Sequence, residues 1–212
     1  CRWMGRRALK NPLDAWIYQE ILWEVRPDVV VEIGNKEGGS AHFLATLCEA
    51  MGHGDILALD IDHSRFDVEH RRIRKLTGDC SHPQVVAQVS RLCGGKSVLI
   101  IHDADHAKEA VLRDLRTYAP LVTPGSYFIV EDSIHGVSGF SQNGRVLPGS
   151  FSRPDRSGPL QAIELFLGEN PEFSADRTRE RYILTANYKG YLRRKESRPS
   201  DRLAARELLK AG

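Results

Sequence analysis

The sequence has no apolar run that approaches a membrane span and no signal-peptide pattern, although 41% of its 212 residues are hydrophobic. A membrane-spanning helix needs about 20 consecutive apolar residues, so we expect no membrane span. The formal net charge is only +2, from 30 basic and 28 acidic residues, which gives no strong field for a nucleic-acid partner. We therefore predict a globular, cytoplasmic protein with a single domain over 1–212.

Motifs for nucleotides and for zinc are absent as well. The G-x-G-x-x-G of a dinucleotide site and the G-x-x-x-x-G-K-[ST] phosphate loop do not occur, which makes NAD and ATP poor candidates. The four cysteines contain no C-x-x-C pair and no zinc spacing, so we interpret them as reduced thiols.

The most informative segment that is present is Val29-Val-Val-Glu-Ile-Gly-Asn-Lys-Glu-Gly-Gly-Ser40. Three consecutive valines show no alternation with polar residues, which indicates a strand that is buried on both faces, as in a parallel sheet. The glycines that follow supply a turn in which a ligand can approach the backbone and the N–H groups of the next helix. We expect a small molecule to lie over the end of this strand.

Strand and helix patterns alternate along the chain. A helical segment over 1–27 precedes the first strand, and the later strands are predicted at 55–59, 73–77, 97–101 and 126–130. The fold class is therefore α/β, with a doubly wound, mostly parallel, Rossmann-like sheet whose ligand lies over the carboxyl ends of the strands. Strands at 181–185 and 191–194 are predicted to close the sheet as a C-terminal antiparallel hairpin.

The segment 133–159 is rich in glycine, serine and proline and shows little periodicity. A stretch of this length without structure is usually functional or disordered. Its aromatic and arginine side chains favour a lid that contacts a polar acceptor, and an ordinary surface loop is the alternative.

Acidic residues follow two of the predicted strands, in His102-Asp-Ala-Asp-His106 and in Glu131-Asp132. The carboxyl ends of parallel strands meet at one edge, so these carboxylates should repel one another unless protons or a cation intervene. Hard oxygen ligands favour Mg²⁺, whereas zinc is disfavoured because no H-x-x-x-H spacing or cysteine ligand occurs. The alternative is that single acids cap loops or helices.

The order of these motifs resembles that of the class I S-adenosylmethionine (SAM) methyltransferases, in which an acid precedes the glycine turn and a second acid ends the next strand. In that family the first acid lies near the methionine end of SAM, and the second binds the ribose hydroxyls through charge-assisted hydrogen bonds. The resemblance assigns the amino-acid part of SAM to Glu32, Gly34, Gly38 and Ser40, the ribose to Asp60, the adenine to Asp79, and the methionine pocket to Asp103 or His102.

Asp103-Ala-Asp105-His106, together with Tyr118-Ala-Pro-Leu-Val-Thr-Pro-Gly-Ser-Tyr-Phe-Ile-Val-Glu-Asp132, is similar to the cephalosporin hydroxylase family, which includes rhamnosyl and other sugar O-methyltransferases. The similarity extends from Asn11-Pro-Leu-Asp-Ala-Trp-Ile-Tyr-Gln-Glu20 to Gly190-Tyr-Leu-Arg-Arg194. It implies a homo-oligomer and an Mg²⁺ ion held by Asp105, Glu131 and Asp132, with Asp103 as the alternative to Asp105.

The resemblance implies a SAM- and Mg²⁺-dependent O-methyltransferase that methylates a hydroxyl of a glycoside, glycolipid or polysaccharide precursor in a bacterial biosynthetic pathway. A metal-bound hydroxyl has a lowered pKa, and the base that takes its proton remains open. His135 is the first candidate, because an ordinary pKa of about 6.5 suits base catalysis near neutrality, and His106 and Asp105 are the alternatives. The competing hypotheses are a catechol or antibiotic acceptor, and a non-catalytic SAM-fold assembly subunit.

Overall fold

The computed structural model describes residues 1–136 and 158–196, and for residues 135 and 136 it describes the backbone alone. The strands of this part of the chain are β1 (Arg2–Trp3), β2 (Arg6–Arg7), β3 (Val29–Ile33), β4 (Asp55–Asp60), β5 (Ile73–Thr77), β6 (Val98–His102), β7 (Tyr127–Val130), β8 (Phe173–Ala175) and β9 (Tyr191–Arg194). Its α-helices are α1 (Pro12–Val25), α2 (Gly39–Ala50), α3 (Pro83–Cys93), α4 (Lys108–Tyr118) and α5 (Pro159–Glu169). None of these helices is long and apolar enough to cross a membrane.

The large sheet has the strand order β5-β4-β3-β6-β7-β9-β8. The strands from β3 to β7 pair in parallel, and β9 pairs antiparallel with both β7 and β8. The predicted doubly wound, mostly parallel α/β sheet with a C-terminal antiparallel strand pair is thus confirmed. The single domain over 1–212 includes residues outside the described part and stays a prediction.

The consecutive valines of β3 are buried because helices cover both faces of the sheet. Val29 and Val31 belong to a core cluster that includes residues of α3, α4 and α5, whereas Val30 belongs to a second cluster with residues of α1 and α2. Each fully buried valine stabilises the fold by about 1.5–3 kcal/mol relative to an exposed one. A two-sided core therefore explains why this strand lacks polar alternation.

The predicted strand at 181–185 is wrong, because β9 pairs with β8 instead. The reason is a buried acid in α1: Asp14 is only 3% exposed and accepts hydrogen bonds from the Thr185 hydroxyl at 2.6 Å and the Ala186 N–H at 2.8 Å. The Tyr191 hydroxyl also donates to Asp14, at 2.8 Å. The backbone before β9 is thus bound to α1 and does not join the sheet.

Residues 1–27, predicted to be helical, divide into a hairpin and a helix. The strands β1 and β2 are joined by Met4 and Gly5, which both have positive φ angles (45° and 81°), as a two-residue hairpin turn requires. The helix begins only at Pro12, where the Asn11 side chain accepts a hydrogen bond from the N–H of Leu13 at 3.1 Å. The hairpin lies against the start of α2, since a Cβ on Gly39 would be 2.1 Å from the carbonyl oxygen of Arg7.

The strand order changes direction at β3, which has β4 on one side and β6 on the other. Ligands of open α/β sheets bind at such a switch point, outside the carboxyl ends of the strands. Gly34 and Asp103 follow β3 and β6 directly, and the N–H of Asp103 donates to the carbonyl of Ile33 at 2.8 Å. The fold therefore brings the glycine turn and the first acidic segment to one crevice.

Replacing Gly39 with alanine should destabilise the protein, because the new Cβ would collide with backbone atoms of β2. Overpacking of this kind costs about 1–3 kcal/mol. Urea denaturation measures the change in the free energy of unfolding. Gly168→Ala in α5 is the matched control, since a Cβ there has no neighbour within 4 Å, and we expect it to stabilise the protein by about 0.5–1 kcal/mol. Equal stability of the two variants would contradict the close packing of β2 on α2.

Candidate active site

The turn after β3 is built around Gly34, which has a left-handed φ of 89°. A Cβ at this position would lie 2.1 Å from the carbonyl oxygen of Asp103, so only glycine lets the ends of β3 and β6 come this close. The N–H groups of Asn35 and Lys36 then donate to Asp60 Oδ2, at 2.6 and 2.9 Å. The carboxylate that ends β4 thereby fixes the turn that follows β3.

A cavity of about 430 Å³ opens over the carboxyl ends of β3, β4, β5 and β6. Its volume is within the range of small-molecule pockets, about 300–1,000 Å³. Four of the residues predicted to bind the cofactor line it, namely Gly34, Asp60, Asp79 and Asp103. Ser40 lines a smaller neighbouring cavity, which shares Gly34 and Asp103 with the larger one.

Glu32 lies behind the turn and lines neither cavity. It is fully buried, and the Asn35 side chain donates to its Oε2 at 2.8 Å. Burial raises the pKa of Glu32, while the charge of Lys10 and contacts with the Ser40 and Asn35 side chains oppose that rise. Its contacts with the chain therefore order the glycine turn from behind.

Gly38 and Asp79, two other predicted cofactor residues, lie at different places. Gly38 has a φ of 79° and leaves room for the ring of Phe66, which a Cβ would meet at 2.8 Å. Asp79 is an exposed residue at the cavity rim, and its Oδ1 accepts hydrogen bonds from the N–H and the hydroxyl of Ser81, both at 2.8 Å. These hydrogen bonds lower the pKa of Asp79.

Asp103, His106 and Asp132 form the group that has metal-binding geometry among the described residues. Each offers one ligand atom, and the three atoms lie within 4.8 Å of one another. His106 Nε2 is 3.3 Å from Asp132 Oδ2 and 3.7 Å from Asp103 Oδ1. The contact with Asp132 raises the pKa of His106, burial opposes the rise, and the negative charges of Asp132 and Asp103 add to it.

The backbone of Asp132 has a φ of 55°, which is uncommon for a residue with a side chain. Such strained residues persist where the surrounding structure holds them and are frequent at functional sites. Two carboxylates and an imidazole at the carboxyl edge of the sheet are a donor set that fits a divalent cation, with Mg²⁺ favoured by the oxygens.

The two other predicted metal ligands have different surroundings. Asp105 is exposed, and its Oδ1 accepts a hydrogen bond from the N–H of Ala107 at 2.8 Å, where α4 begins. Glu131 is only 5% exposed, and its Oε1 lies 2.7 Å from Lys10 Nζ. The structure therefore brings Asp103, the alternative first ligand, into the three-residue group, and it engages Asp105 and Glu131 in contacts with other parts of the chain.

The predicted base His135 and most of the predicted lid cannot be compared with these residues. His135 belongs to a short 3₁₀ turn, Ser133–Gly136, and its side chain lies outside the described part of the chain. Of the loop 133–159, residues 137–157 lie outside it as well.

Sequence reasoning missed Lys10. The residues before α1 place its side chain among the carboxylates at the carboxyl ends of the strands, which we call the acidic edge. Its ammonium contacts Asp103 and Glu131, and only 5% of its side chain is exposed. The only signal was its place directly before the helix start Asn11-Pro12, and a lysine in that position is usually a surface residue.

A second missed feature is the buried pair of His102 and Asp114. His102 Nε2 lies 3.0 Å from Asp114 Oδ2, and Arg113 Nε donates to Asp114 Oδ1 at 2.9 Å. Although burial opposes the charged form, His102 and Arg113 lower the pKa of Asp114. His102 therefore packs toward α4, and of the two alternatives for the methionine pocket only Asp103 lines the cavities described above.

Comparison with known proteins identifies related sequences. Residues 1–195 match the model of the family described as rhamnosyl O-methyltransferase/CmcI. The chain is 35% identical over 201 residues to a rhamnosyl O-methyltransferase of Mycobacterium leprae (strain TN), covering 91% of this chain and 82% of that protein. It is 33% identical over 186 residues to that of Mycobacterium tuberculosis (strain ATCC 25618 / H37Rv), covering 84% and 71%.

Solved structures show the same relationship. CmcI with Mg and SAM has a TM-score of 0.70 and 26% identity, covering 92% of this chain and 76% of that one. MycE methyltransferase from the mycinamycin biosynthetic pathway, in complex with Mg and SAH, has a TM-score of 0.58 and 20% identity, covering 84% and 48%, so that likeness shows the fold alone. The chain belongs to the rhamnosyl O-methyltransferase/CmcI family, as the sequence motifs predicted.

Proposed function

We propose that this protein is a SAM- and Mg²⁺-dependent O-methyltransferase that methylates a sugar hydroxyl in a bacterial biosynthetic pathway. The observation that carries the proposal is the group of Asp103, His106 and Asp132 beside the cavity, in a chain 35% identical to a rhamnosyl O-methyltransferase. A non-catalytic assembly subunit would have no need for this group.

The cavity over β3 to β6 supports a SAM site, with the methyl group supplied by the sulfonium of SAM when it is bound. Asp60 faces the cavity at the position proposed for the ribose. Its carboxylate already accepts a hydrogen bond from the Asn35 N–H of the turn, and the two ribose hydroxyls would donate further, charge-assisted hydrogen bonds to it. Gly34, Ser40 and Asp103 line the part proposed for the methionine, and Asp79 lies at the rim proposed for the adenine. Glu32 and Gly38 would act indirectly, by shaping the turn.

Asp103 and Asp132 are the proposed Mg²⁺ ligands, with Asp103 in the place of Asp105 and with Glu131 as the further acid that the family resemblance implies. Bound Mg²⁺ would supply a Lewis acid that lowers the pKa of a substrate hydroxyl. The chain holds these two carboxylates in place through the β6–β3 backbone contact of Asp103 and the hydrogen bond from the Asp132 N–H to Asn187 Oδ1, at 3.3 Å.

His106 is the proposed general base, with His135 and Asp105 as the alternatives, and in this role its imidazole does not bind the ion that Asp103 and Asp132 would hold. Its Nε2 faces Asp132 and Asp103, whose negative charge stabilises the imidazolium that forms when the ring takes a proton. Asp105 is bound to the start of α4, which makes it the weaker candidate.

The proposed acceptor is a small glycoside or an oligosaccharide, and we also propose a homo-oligomer in the cytoplasm. Trp16 and Trp23 of α1 are 59% and 63% exposed, which favours an association surface. The four free thiols agree with a reducing compartment.

A test of the function uses EDTA-treated protein, SAM, and a panel of rhamnosides, other glycosides and catechols, with product methylation followed by mass spectrometry. We expect methylation of a rhamnoside or related glycoside, and a fall of about a hundredfold or more in rate without Mg²⁺, because the metal supplies several kcal/mol of stabilisation. If catechols alone were methylated, the acceptor would be an aromatic diol and not a sugar. If calorimetry detected no binding of SAM, the result would contradict the proposed function.

The metal ligands are tested by Asp103→Asn and Asp132→Asn, with Asp105→Asn as the matched control. We expect the first two variants to lose Mn²⁺ binding, measured by electron paramagnetic resonance, because each loses a charged oxygen ligand. Asp132→Asn should keep SAM affinity within about threefold, whereas Asp103→Asn should also weaken SAM binding, because Asp103 lines the part of the cavity proposed for the methionine. The Asp105→Asn variant should bind Mn²⁺ as the unmodified protein does. If it alone loses the ion, Asp105 is the first ligand, and Asp103 is not.

The base is tested by single-turnover methylation with His106→Ala and His135→Ala. Loss of a general base typically costs about 10²–10⁴-fold in rate, so we expect a loss in this range for His106→Ala and a smaller one for His135→Ala. The reverse order of the two variants would assign the base to His135.

A further inference from the structure

Lys10 reaches the acidic edge from a segment that precedes the sheet in sequence. Asn11, the next residue, caps α1 and also donates from its side-chain amide to the carbonyl of Leu184 at 3.2 Å. The hairpin before Lys10 lies against the start of α2 through Arg7 and Gly39. The backbone on both sides of Lys10 is thus held by the rest of the protein, and its side chain points inward.

The ammonium of Lys10 contacts three carboxylates at the ends of three different strands. Lys10 Nζ lies 2.6 Å from Asp103 Oδ2, 2.7 Å from Glu131 Oε1 and 3.8 Å from Glu32 Oε1. Burial opposes its charged form, but the charges of Glu131, Asp103 and Glu32 together raise the pKa of Lys10. A buried ammonium is therefore a fixed part of this edge.

The two oxygens of Asp103 face different partners. Oδ2 lies at hydrogen-bond distance from Lys10, whereas Oδ1 is the oxygen nearer to His106, at 3.7 Å. A carboxylate whose second oxygen is held by an ammonium presents one oxygen to a metal ion. Mg²⁺ is small and octahedral and accepts such single oxygens, whereas Ca²⁺ takes six to eight ligands and readily accepts both oxygens of one carboxylate.

We propose that Lys10 is a positioning residue that sets the metal preference of the site, because it holds Asp103 Oδ2 and leaves Oδ1 as the single oxygen that a divalent cation can use. The inference rests on the proposed metal-dependent function. It adds a residue outside the acidic segments to the determinants of that site, and it gives the N-terminal hairpin a role in metal selection.

The experiment measures how well Mg²⁺ and Ca²⁺ each displace Mn²⁺ from EDTA-treated protein saturated with SAH, followed by electron paramagnetic resonance. Lys10→Met removes the ammonium and keeps an apolar stem. The matched control is Lys108→Met, which removes a lysine that pairs with Glu109 at 3.2 Å near the same edge. The ratio of the two affinities is the readout, because a general loss of packing weakens both ions equally.

We expect Lys10→Met to lower the preference for Mg²⁺ over Ca²⁺ by about tenfold or more, since Asp103 becomes free to bind with both oxygens. The Lys108→Met variant should keep the ratio of the unmodified protein. An unchanged ratio in Lys10→Met would overturn the proposal. If the unmodified protein binds no Mn²⁺, the metal-dependent function itself fails, which is a different result.

A second variant keeps the proposal testable if Lys10→Met does not fold, since that substitution leaves buried acids without a counter-charge. Combining Lys10→Met with Glu32→Gln removes one positive and one negative buried charge and frees Asp103 Oδ2 in the same way. We expect this variant to show the same fall in the Mg²⁺/Ca²⁺ ratio, and an unchanged ratio would overturn the proposal equally.

Discussion

The repulsion between carboxylates at the carboxyl edge of the sheet is the constraint on which the site depends. Glu32 is fully buried, Glu131 is 5% exposed, and Asp103 and Asp132 lie beside them. Two like charges 4 Å apart repel by about 4 kcal/mol at an effective dielectric constant of 20. Several such pairs would exceed the stability of a typical domain, about 5–15 kcal/mol, so the edge requires cations or protonated carboxyls, and burial raises the pKa of both Glu131 and Glu32. Lys10 supplies one fixed positive charge, and a divalent ion is suited to supply the remainder.

That requirement connects the N-terminal residues to the chemistry of the sheet. Lys10 reaches the acids only because the Asn11 cap fixes the start of α1 and because Gly39 lets the hairpin approach α2. The buried Asp14 binds the same helix to the chain before β9. Segments that lie far apart in sequence therefore hold one helix, and through it one ammonium, in place.

The fold was predictable because its signals are local, whereas the site was only partly so. The apolar runs that form β3, β6 and β7 and the Asn11-Pro12 helix start identify the elements, and the parallel order brings the acids to one edge. Side-chain direction at a strand end depends on the pleat and on the turn that follows it, which sequence does not reveal. His102 thus packs on Asp114 and Asp105 binds the start of α4, whereas Asp103 lies in one group with His106 and Asp132. The strand predicted at 181–185 failed because a distant residue, Asp14, binds that backbone.

Asp103 shows how the fold prepares a site before any ligand arrives. Its N–H is bound to Ile33, its carbonyl lies against Gly34, and its Oδ2 is held by Lys10, so little freedom remains for Oδ1. The neighbouring His102 is fixed by Asp114 on the other side of the strand end. Groups held in this way lose their conformational entropy when the protein folds, so ordering them costs little during binding or reaction. The same buried contacts that the acidic edge needs for stability therefore also give it the preorganisation that catalysis requires.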